Sequence, residues 1–213
     1  MNNLGDVREN YEKDELSKNE LAIDPIVQFE RWYQEVEKNN IKEPNAMTLA
    51  TIGSNGQPSA RIVLLKGFSN KGFTFYTNYT SRKAQELIDN PQVALVLWWK
   101  EMERQVRIEG TAQKVSAEIS NSYFQSRPRG SQISAWSSPQ SQIIKEDYLE
   151  EKRNQVEKEY QGVDKIPLPH FWGGFIVNPS LIEFWQGRSN RYHDRFQYRL
   201  SDDSNWHVER LAP

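Results

Sequence analysis

The chain has 213 residues and a formal net charge of -2, with 37% apolar, 26% charged and 12% aromatic residues, including seven Trp. That length suits one domain with a sizeable core, and the low mean hydropathy of -0.82 with no long apolar run excludes a membrane-spanning helix. Cysteine is absent, which removes disulfides, thiolate metal sites and cysteine nucleophiles, and the near-neutral charge argues against a general nucleic-acid binder.

Residues 1–20 are polar, with Leu4, Val7, Tyr11 and Leu16 as the only apolar anchors. They read as an arm without a secretory leader, which points to a cytoplasmic protein whose single domain spans residues 21–213. Asp24-Pro25 reads as an N-cap and first-turn proline. Ile26, Phe29, Tyr33 and Val36 then carry helical spacing to about Asn39. Met47–Ile52 and Ser59–Lys66 form a predicted hairpin about Asn55-Gly56. The second of these strands is apolar on both faces between Arg61 and Lys66, so it is expected deep in a sheet. A strand at Phe73–Asn78 follows, then a helix from Thr80-Ser81 to about Asp89, stopped by Pro91. Strands are expected at Gln92–Trp99 and Glu103–Thr111, extending to Val115. A helix capped by Ser116 ends before Pro128, and a charged helix covers Glu146–Gln161. Four more strands follow: Gly174–Val177, Leu181–Trp185, Tyr192–Leu200 and His207–Leu211. Strands in hairpin order with helices outside them predict a mainly β, mainly antiparallel barrel with peripheral helices, an α+β fold.

The chain has no G-x-G-x-x-G, no P-loop and no G-x-S-x-G motif. Its three histidines, His170, His193 and His207, lack metal-ligand spacing. Redox chemistry would therefore need an organic cofactor bound by another route. Cationic and aromatic residues do cluster. Near the C-terminus Arg188, Arg191 and Arg195 crowd around Trp185, Tyr192 and His193. On a strand, Arg191, His193 and Arg195 share one face. That face fits an anionic planar ligand, or equally a charged edge strand. Arg82 and Lys83 fall in a helix's first turn, where cations are disfavoured unless an anion compensates; the placement favours a phosphate site over a poorly charged helix start. Arg61 and Lys66, five apart, fall on opposite faces of a regular strand and read equally well as strand-end charges. Tyr123 and Arg127, followed by Ser131, form a second anion candidate or a helix-surface pair. Gln105 and Arg107 share a polar strand face with Glu103 and carry little by themselves.

Several segments together resemble the pyridoxine (pyridoxamine) 5'-phosphate oxidase family. They are Arg61-Ile-Val-Leu-Leu-Lys66, Phe75-Tyr-Thr-Asn78 with Ser81-Arg-Lys83, Glu103-Arg-Gln-Val106, and Tyr123-Phe-Gln-Ser-Arg-Pro-Arg129 with Ser131-Gln-Ile. Phe171-Trp-Gly-Gly-Phe175, Glu183-Phe-Trp-Gln-Gly187, Arg191-Tyr-His-Asp-Arg195 and Arg210-Leu-Ala-Pro213 complete them. The similarity runs in order from about Val7 to the last residue.

The resemblance implies an FMN-binding split β-barrel and a homodimer with two sites at the subunit interface. It implies oxidation of pyridoxamine 5'-phosphate or pyridoxine 5'-phosphate to pyridoxal 5'-phosphate, with O2 as acceptor and hydrogen peroxide as product. An amine substrate would also release ammonia. A hydride equivalent is expected to leave the substrate's exocyclic carbon for the flavin. The FMN contacts it implies are Arg61, Ile62, Val63, Leu64, Leu65, Lys66, Tyr76, Thr77, Arg82, Lys83, Gln105, Gln140, Ser141, Trp185 and Arg195. The substrate phosphate would meet Lys66, Tyr123, Arg127 and Ser131. Arg191 and His193 would act over the substrate's ring and reactive carbon, with Arg8 and Tyr11 closing from the arm. A non-catalytic flavin or pyridoxal-phosphate module on the same barrel is the alternative, and neither nucleic acid nor membrane is an expected partner.

Overall fold

The computed structural model describes Gly5 and residues 9–213. The implied contact Arg8 lies outside the described residues. Helix α1 (Pro25–Lys38) starts where expected, because the Asp24 carboxylate accepts the Ile26 N–H at 2.7 Å and Pro25 sacrifices no hydrogen bond at the first position. Strands β1 (Ala46–Ile52), β2 (Pro58–Leu64), β3 (Gly67–Ser69) and β4 (Gly72–Asn78) follow. Helix α2 (Arg82–Asp89) then leads to β5 (Gln92–Trp99) and β6 (Arg104–Lys114). Helices α3 (Ala117–Ser126), α4 (Arg129–Ser137) and α5 (Tyr148–Glu159) precede β7 (Trp172–Gln186), β8 (Asp194–Leu200) and β9 (Trp206–Leu211).

Among the described residues the strands form one antiparallel sheet in the order β2-β1-β5-β6-β7-β4-β3, with β8 on β7 and β9 on β8. β7 is the branch point. One edge pairs with β6 along most of its length; the other pairs with β4 over residues 172–177 and with β8 over residues 181–186. The change falls at a bulge opposite Glu109 and Gly110. A Cβ on Gly110 would sit 2.1 Å from the Asn178 carbonyl oxygen, so only glycine allows this approach. The sheet therefore forks and curls. α1 plugs the curl, with the Phe29 ring 5.0 Å from Phe73 and Trp32 5.1 Å from Phe184. Leu49, Leu95, Val106 and Ile108 close this core; each fully buried side chain of this kind contributes about 1.5–3 kcal/mol. Phe124, Ile133, Val156 and Trp172 make a second, smaller core beneath α3–α5.

Four expectations are corrected. β2 is an edge strand, with Ile62 64% exposed and Leu64 38% exposed. Its apolar outer face lines a cleft instead of a core, so composition misled. Gly174–Val177 and Leu181–Trp185 are one bulged strand, because the intervening Pro179 sits at the irregularity that breaks the ladder. α4 and the three-residue β3 add elements that periodicity did not mark. Finally, Arg191 precedes β8. It sits in a tight turn with Asn190 at φ 53° and Arg191 at φ 63°, and His193 also precedes the strand, so only Arg195 of the three lies on β8.

Candidate active site

Two groups of polar side chains converge on the α2–β2–β4 side of the molecule. In the first, Glu86 of α2 is 6% exposed and organises its neighbours. It accepts hydrogen bonds from Thr51 and Ser59 and pairs with Arg61 at 3.2 Å and Arg82 at 2.8 Å. Burial pushes its carboxyl pKa up, but these four donors outweigh burial and hold it at about 2. Arg61, Arg82 and Lys83 thus face one carboxylate, leaving positive charge in excess.

Lys83 carries the excess inward. It is 8% exposed, and among the described residues its Nζ donates only to the neutral hydroxyls of Thr77 at 3.2 Å and Ser81 at 3.4 Å. Burial and the neighbouring Arg61 guanidinium push its pKa down to about 8, against a smaller opposing pull from Glu86. The Thr77 hydroxyl also donates to Gln140 Oε1 at 3.2 Å, which draws residues 138–141 over the start of α2. Gln140 and Ser141 close a 360 Å³ cavity with Arg61, Ile62, Arg82 and Lys83.

The second group lies beside it, in a 310 Å³ cleft bordered by Ile62, Leu64, Lys66, Tyr76, Tyr123 and Arg127. The chain turns after β2: the Leu65 N–H bonds Asn45 and the Lys66 N–H bonds Thr74. That switch of partners brings Lys66 to the cleft although a regular strand would put it on the face opposite Arg61. Tyr76 stacks on Tyr123 at 3.9 Å, and the Arg127 guanidinium lies 4.7 Å from the Trp172 ring. Arg127 Nη1 is buried and has no hydrogen-bond partner among the described residues. Burial lowers the pKa of this guanidinium, with Tyr123 opposing. A buried donor left unpaired costs about 1–3 kcal/mol, so an anion seat is the economical explanation. Ser131 is half-buried in the first turn of α4 and does not border the cleft.

The remaining implied residues form a separate, third group. Tyr11, Arg188, Arg191 and His193 border a 720 Å³ cavity. The His193 ring is 4.6 Å from Trp185, and Tyr11 lies 5.7 Å from Trp185 and 5.8 Å from His193. Gln105 sits between Trp98 and Trp185 in the sheet, and Arg195 is paired opposite Trp185. The Arg195 guanidinium bonds the buried Glu183 at 2.8 Å and the Ala212 carbonyl at 2.8 Å. Arg191 is exposed, and no described residue bonds its guanidinium.

Residues 9–20 are folded against the barrel. Asp14 pairs with the buried Arg104 at 2.5 Å, Glu15 with Arg188 at 2.5 Å, and the Leu16 N–H donates to Asp194 at 3.2 Å. Gly187 makes room for Tyr11, whose ring carbon would lie 2.8 Å from a Cβ there. Gly187→Ala is therefore expected to expel Tyr11 at a cost of roughly 1–3 kcal/mol. The result would be faster tryptic cleavage at Lys13 and a thermal midpoint lowered by roughly 2–10 °C. Unchanged protection of Lys13 would mean that the neighbours absorb the methyl. Glu86, Gly187 and Asp194 were not singled out as site residues from sequence, and Arg188 was marked only as a member of the C-terminal cation cluster. Only the i,i+4 spacing of Arg82 and Glu86 offered a signal.

Residues 34–157 match the family described as "Pyridoxamine 5'-phosphate oxidase", and residues 172–213 match "Pyridoxine 5'-phosphate oxidase C-terminal dimerisation region". The chain is 54% identical over 215 residues to the pyridoxine/pyridoxamine 5'-phosphate oxidase of Salinibacter ruber (strain DSM 13855 / M31), covering 100% of both chains. It is 52% identical over 211 residues to that of Acaryochloris marina (strain MBIC 11017), covering 99% of this chain and 95% of the relative. Among solved structures, PhzG from Burkholderia lata 383 in complex with tetrahydrophenazine-1-carboxylic acid superposes with a TM-score of 0.87 at 27% identity, over 94% of this chain and 98% of that one. A pyridoxamine 5'-phosphate oxidase-related, FMN-binding protein from Nostoc punctiforme PCC 73102 shares the fold at a TM-score of 0.73 and 18% identity, over 91% of this chain and 100% of that one.

Proposed function

Because this chain belongs to the pyridoxamine 5'-phosphate oxidase family, we propose that it oxidises pyridoxamine 5'-phosphate or pyridoxine 5'-phosphate to pyridoxal 5'-phosphate, using FMN and O2 and releasing hydrogen peroxide. The observation that carries this reading is the pair of anion seats in adjoining cavities, one at buried Lys83 and one at the unpartnered Arg127 Nη1. A reaction between two phosphorylated ligands needs two such seats, each facing close to two negative charges.

Arg61, Arg82 and Lys83 would hold the FMN phosphate, with Gln140 and Ser141 closing over it. Tyr76, Thr77, residues 62–64 and Lys66 border the adjoining cleft, which shares Ile62, Lys83 and Gln140 with that cavity. FMN, when bound, supplies a two-electron acceptor that dioxygen can regenerate. Lys66, Tyr123 and Arg127 would take the substrate phosphate, and Ser131 would join them after a small shift of α4. Arg191, His193, Trp185, Gln105 and Arg195 belong to the third group, which opens on its own cavity. The match of residues 172–213 to a dimerisation region supports a homodimer. In this reading a partner chain lays its Arg191–His193 turn over the Arg127 cleft, and Ile62, Leu64 and Trp98, exposed in the single chain, lie between them. Arg191 would position the substrate ring, and the arm would exclude water.

Turnover of pyridoxamine 5'-phosphate under air should yield one peroxide per pyridoxal 5'-phosphate, with ammonia. A protein that binds FMN but neither bleaches with substrate under nitrogen nor makes peroxide would be a carrier or sensor module instead.

Lys83 also sets a pH dependence. Its pKa in the free protein is about 8, below the ordinary 10.5, and a bound phosphate favours its charged form. FMN affinity should be level from about pH 6, the second phosphate pKa, to about 8. Above 8 it should weaken by up to about tenfold per pH unit. Stability of the flavin-free protein should run the other way. The unfolded chain binds the lysine proton up to 10.5, so this group's penalty disappears as pH rises through 8 toward 10.5. Flavin fluorescence titrations at several pH values check the first slope, and Lys83→Met should flatten it.

A further inference from the structure

We propose that Asp194 is a positioning residue that, through Arg188, fixes His193 as an Nε2–H donor facing its cavity. The proposal rests on the oxidase reading for the substrate it serves, but not for its geometry. The Arg188 backbone N–H donates to His193 Nδ1 at 3.1 Å. An imidazole nitrogen that accepts this bond carries no proton, so the ring proton of neutral His193 resides on Nε2. No described residue bonds Nε2, and His193 borders the 720 Å³ cavity also bordered by Tyr11 and Arg191.

The Arg188 N–H is held where it is needed by the Arg188 side chain. Its guanidinium is clamped by Asp194 at 3.0 Å and by Glu15 at 2.5 Å. Asp194 is 6% exposed and also accepts the Leu16 N–H and the Arg210 guanidinium, at 2.9 Å. One carboxylate thus ties the arm, the residue 187–191 turn and the last strand around the imidazole. Burial, Arg191 and Arg195 all disfavour the imidazolium, and Asp194 alone among its charged neighbours favours it. His193 is therefore neutral at neutral pH. It meets the substrate's exocyclic heteroatom as a hydrogen-bond donor, and it is not the group that removes that atom's proton.

The test is long-range ¹H–¹⁵N correlation of the imidazoles in the FMN-loaded protein. Only three histidines are present, so His193 is assigned by its loss in His193→Gln. The expected pattern is the Nε2–H tautomer at neutral pH with a midpoint below the ordinary range. In Asp194→Asn the midpoint should move further down, the tautomer should become mixed, and kcat should fall about tenfold with FMN retention unchanged. Arg188→Met, which keeps the backbone N–H but loses the clamp, should reproduce the mixed tautomer even if Asp194→Asn fails to fold. An Nδ1–H or mixed tautomer in the unaltered protein would overturn the proposal. So would an unchanged tautomer in both variants. These spectra need no turnover, so the absence of oxidase activity with the expected tautomer would defeat the functional reading alone.

Discussion

Arg127→Met is expected to raise KM for pyridoxamine 5'-phosphate by about 10²–10³ while raising the thermal midpoint of the ligand-free protein. The two signs come from one fact. Arg127 buries a cation whose Nη1 has no partner among the described residues, and burial already disfavours its charge. The Trp172 and Phe124 rings, 4.7 and 5.9 Å away, offset only part of that cost. Methionine fills similar volume without a stranded donor, which should return about 1 kcal/mol, or roughly 2–4 °C for a chain of this size. With phosphate bound, the same side chain makes charge-assisted hydrogen bonds worth about 1.5–3 kcal/mol each. Losing two of them at the lower end of that range, about 3–4 kcal/mol together, gives the expected KM change. The phosphate is remote from the reacting carbon, so kcat should change little. Steady-state kinetics with a thermal melt of flavin-free protein reads both signs together. An unchanged KM would remove Arg127 from the substrate site.

The sequence conveyed local structure well and the third dimension poorly. Asp24-Pro25 and Ser116 marked helix starts because capping is a short-range matter of one side chain and the next turn, whereas Ser81 marks the start of α2 with its hydroxyl turned back to the Asn78 carbonyl. The site's cations were legible as types: Lys83 drew notice because a cation in a first helical turn contradicts the helix dipole. What that notice missed was depth. Arg82, its neighbour, is 63% exposed and satisfied by Glu86, whereas Lys83 turns inward. One step along a helix rotates a side chain by about 100°, and only packing decides which of the two is buried. The β2 reading failed for a related reason. Apolar residues on both faces of a strand describe what it avoids, namely water, but not what covers it. The outer residues of Arg61–Lys66 border a cleft, and the proposed partner chain and flavin would supply the cover that a central position in the sheet was expected to give. Asp194 was legible only as a letter inside a motif. Its three partners come from the arm, the turn before β8 and the final strand, so no spacing rule could connect them.

Arg191 carries the other large effect. Its φ of 63° places a long side chain in the left-handed region, next to Asn190 at φ 53°. Such a conformation costs about 1–2 kcal/mol for an ordinary residue. The Tyr192 N–H bonds the Ser189 carbonyl across the turn at 3.1 Å, but no described residue bonds the Arg191 guanidinium. Strain of this kind held at a cavity is intelligible if the turn serves to aim the side chain. Both Arg191→Met and Arg191→Gly should therefore lower kcat by about 10²–10³, the range seen when one preorganised donor is removed. FMN affinity should stay within about twofold, because the phosphate seat at Lys83 belongs to another group. The two variants should differ in stability. Glycine adopts positive φ freely, and after its greater entropy loss on folding it should be the more stable by roughly 0.5–1 kcal/mol. A rapid-mixing measurement of flavin bleaching under nitrogen isolates the chemical step from product release. If both variants lost FMN and turnover together, Arg191 would be a cofactor anchor and not the residue that aims the substrate. If the glycine variant kept full turnover, the strain at this turn would have no functional purpose.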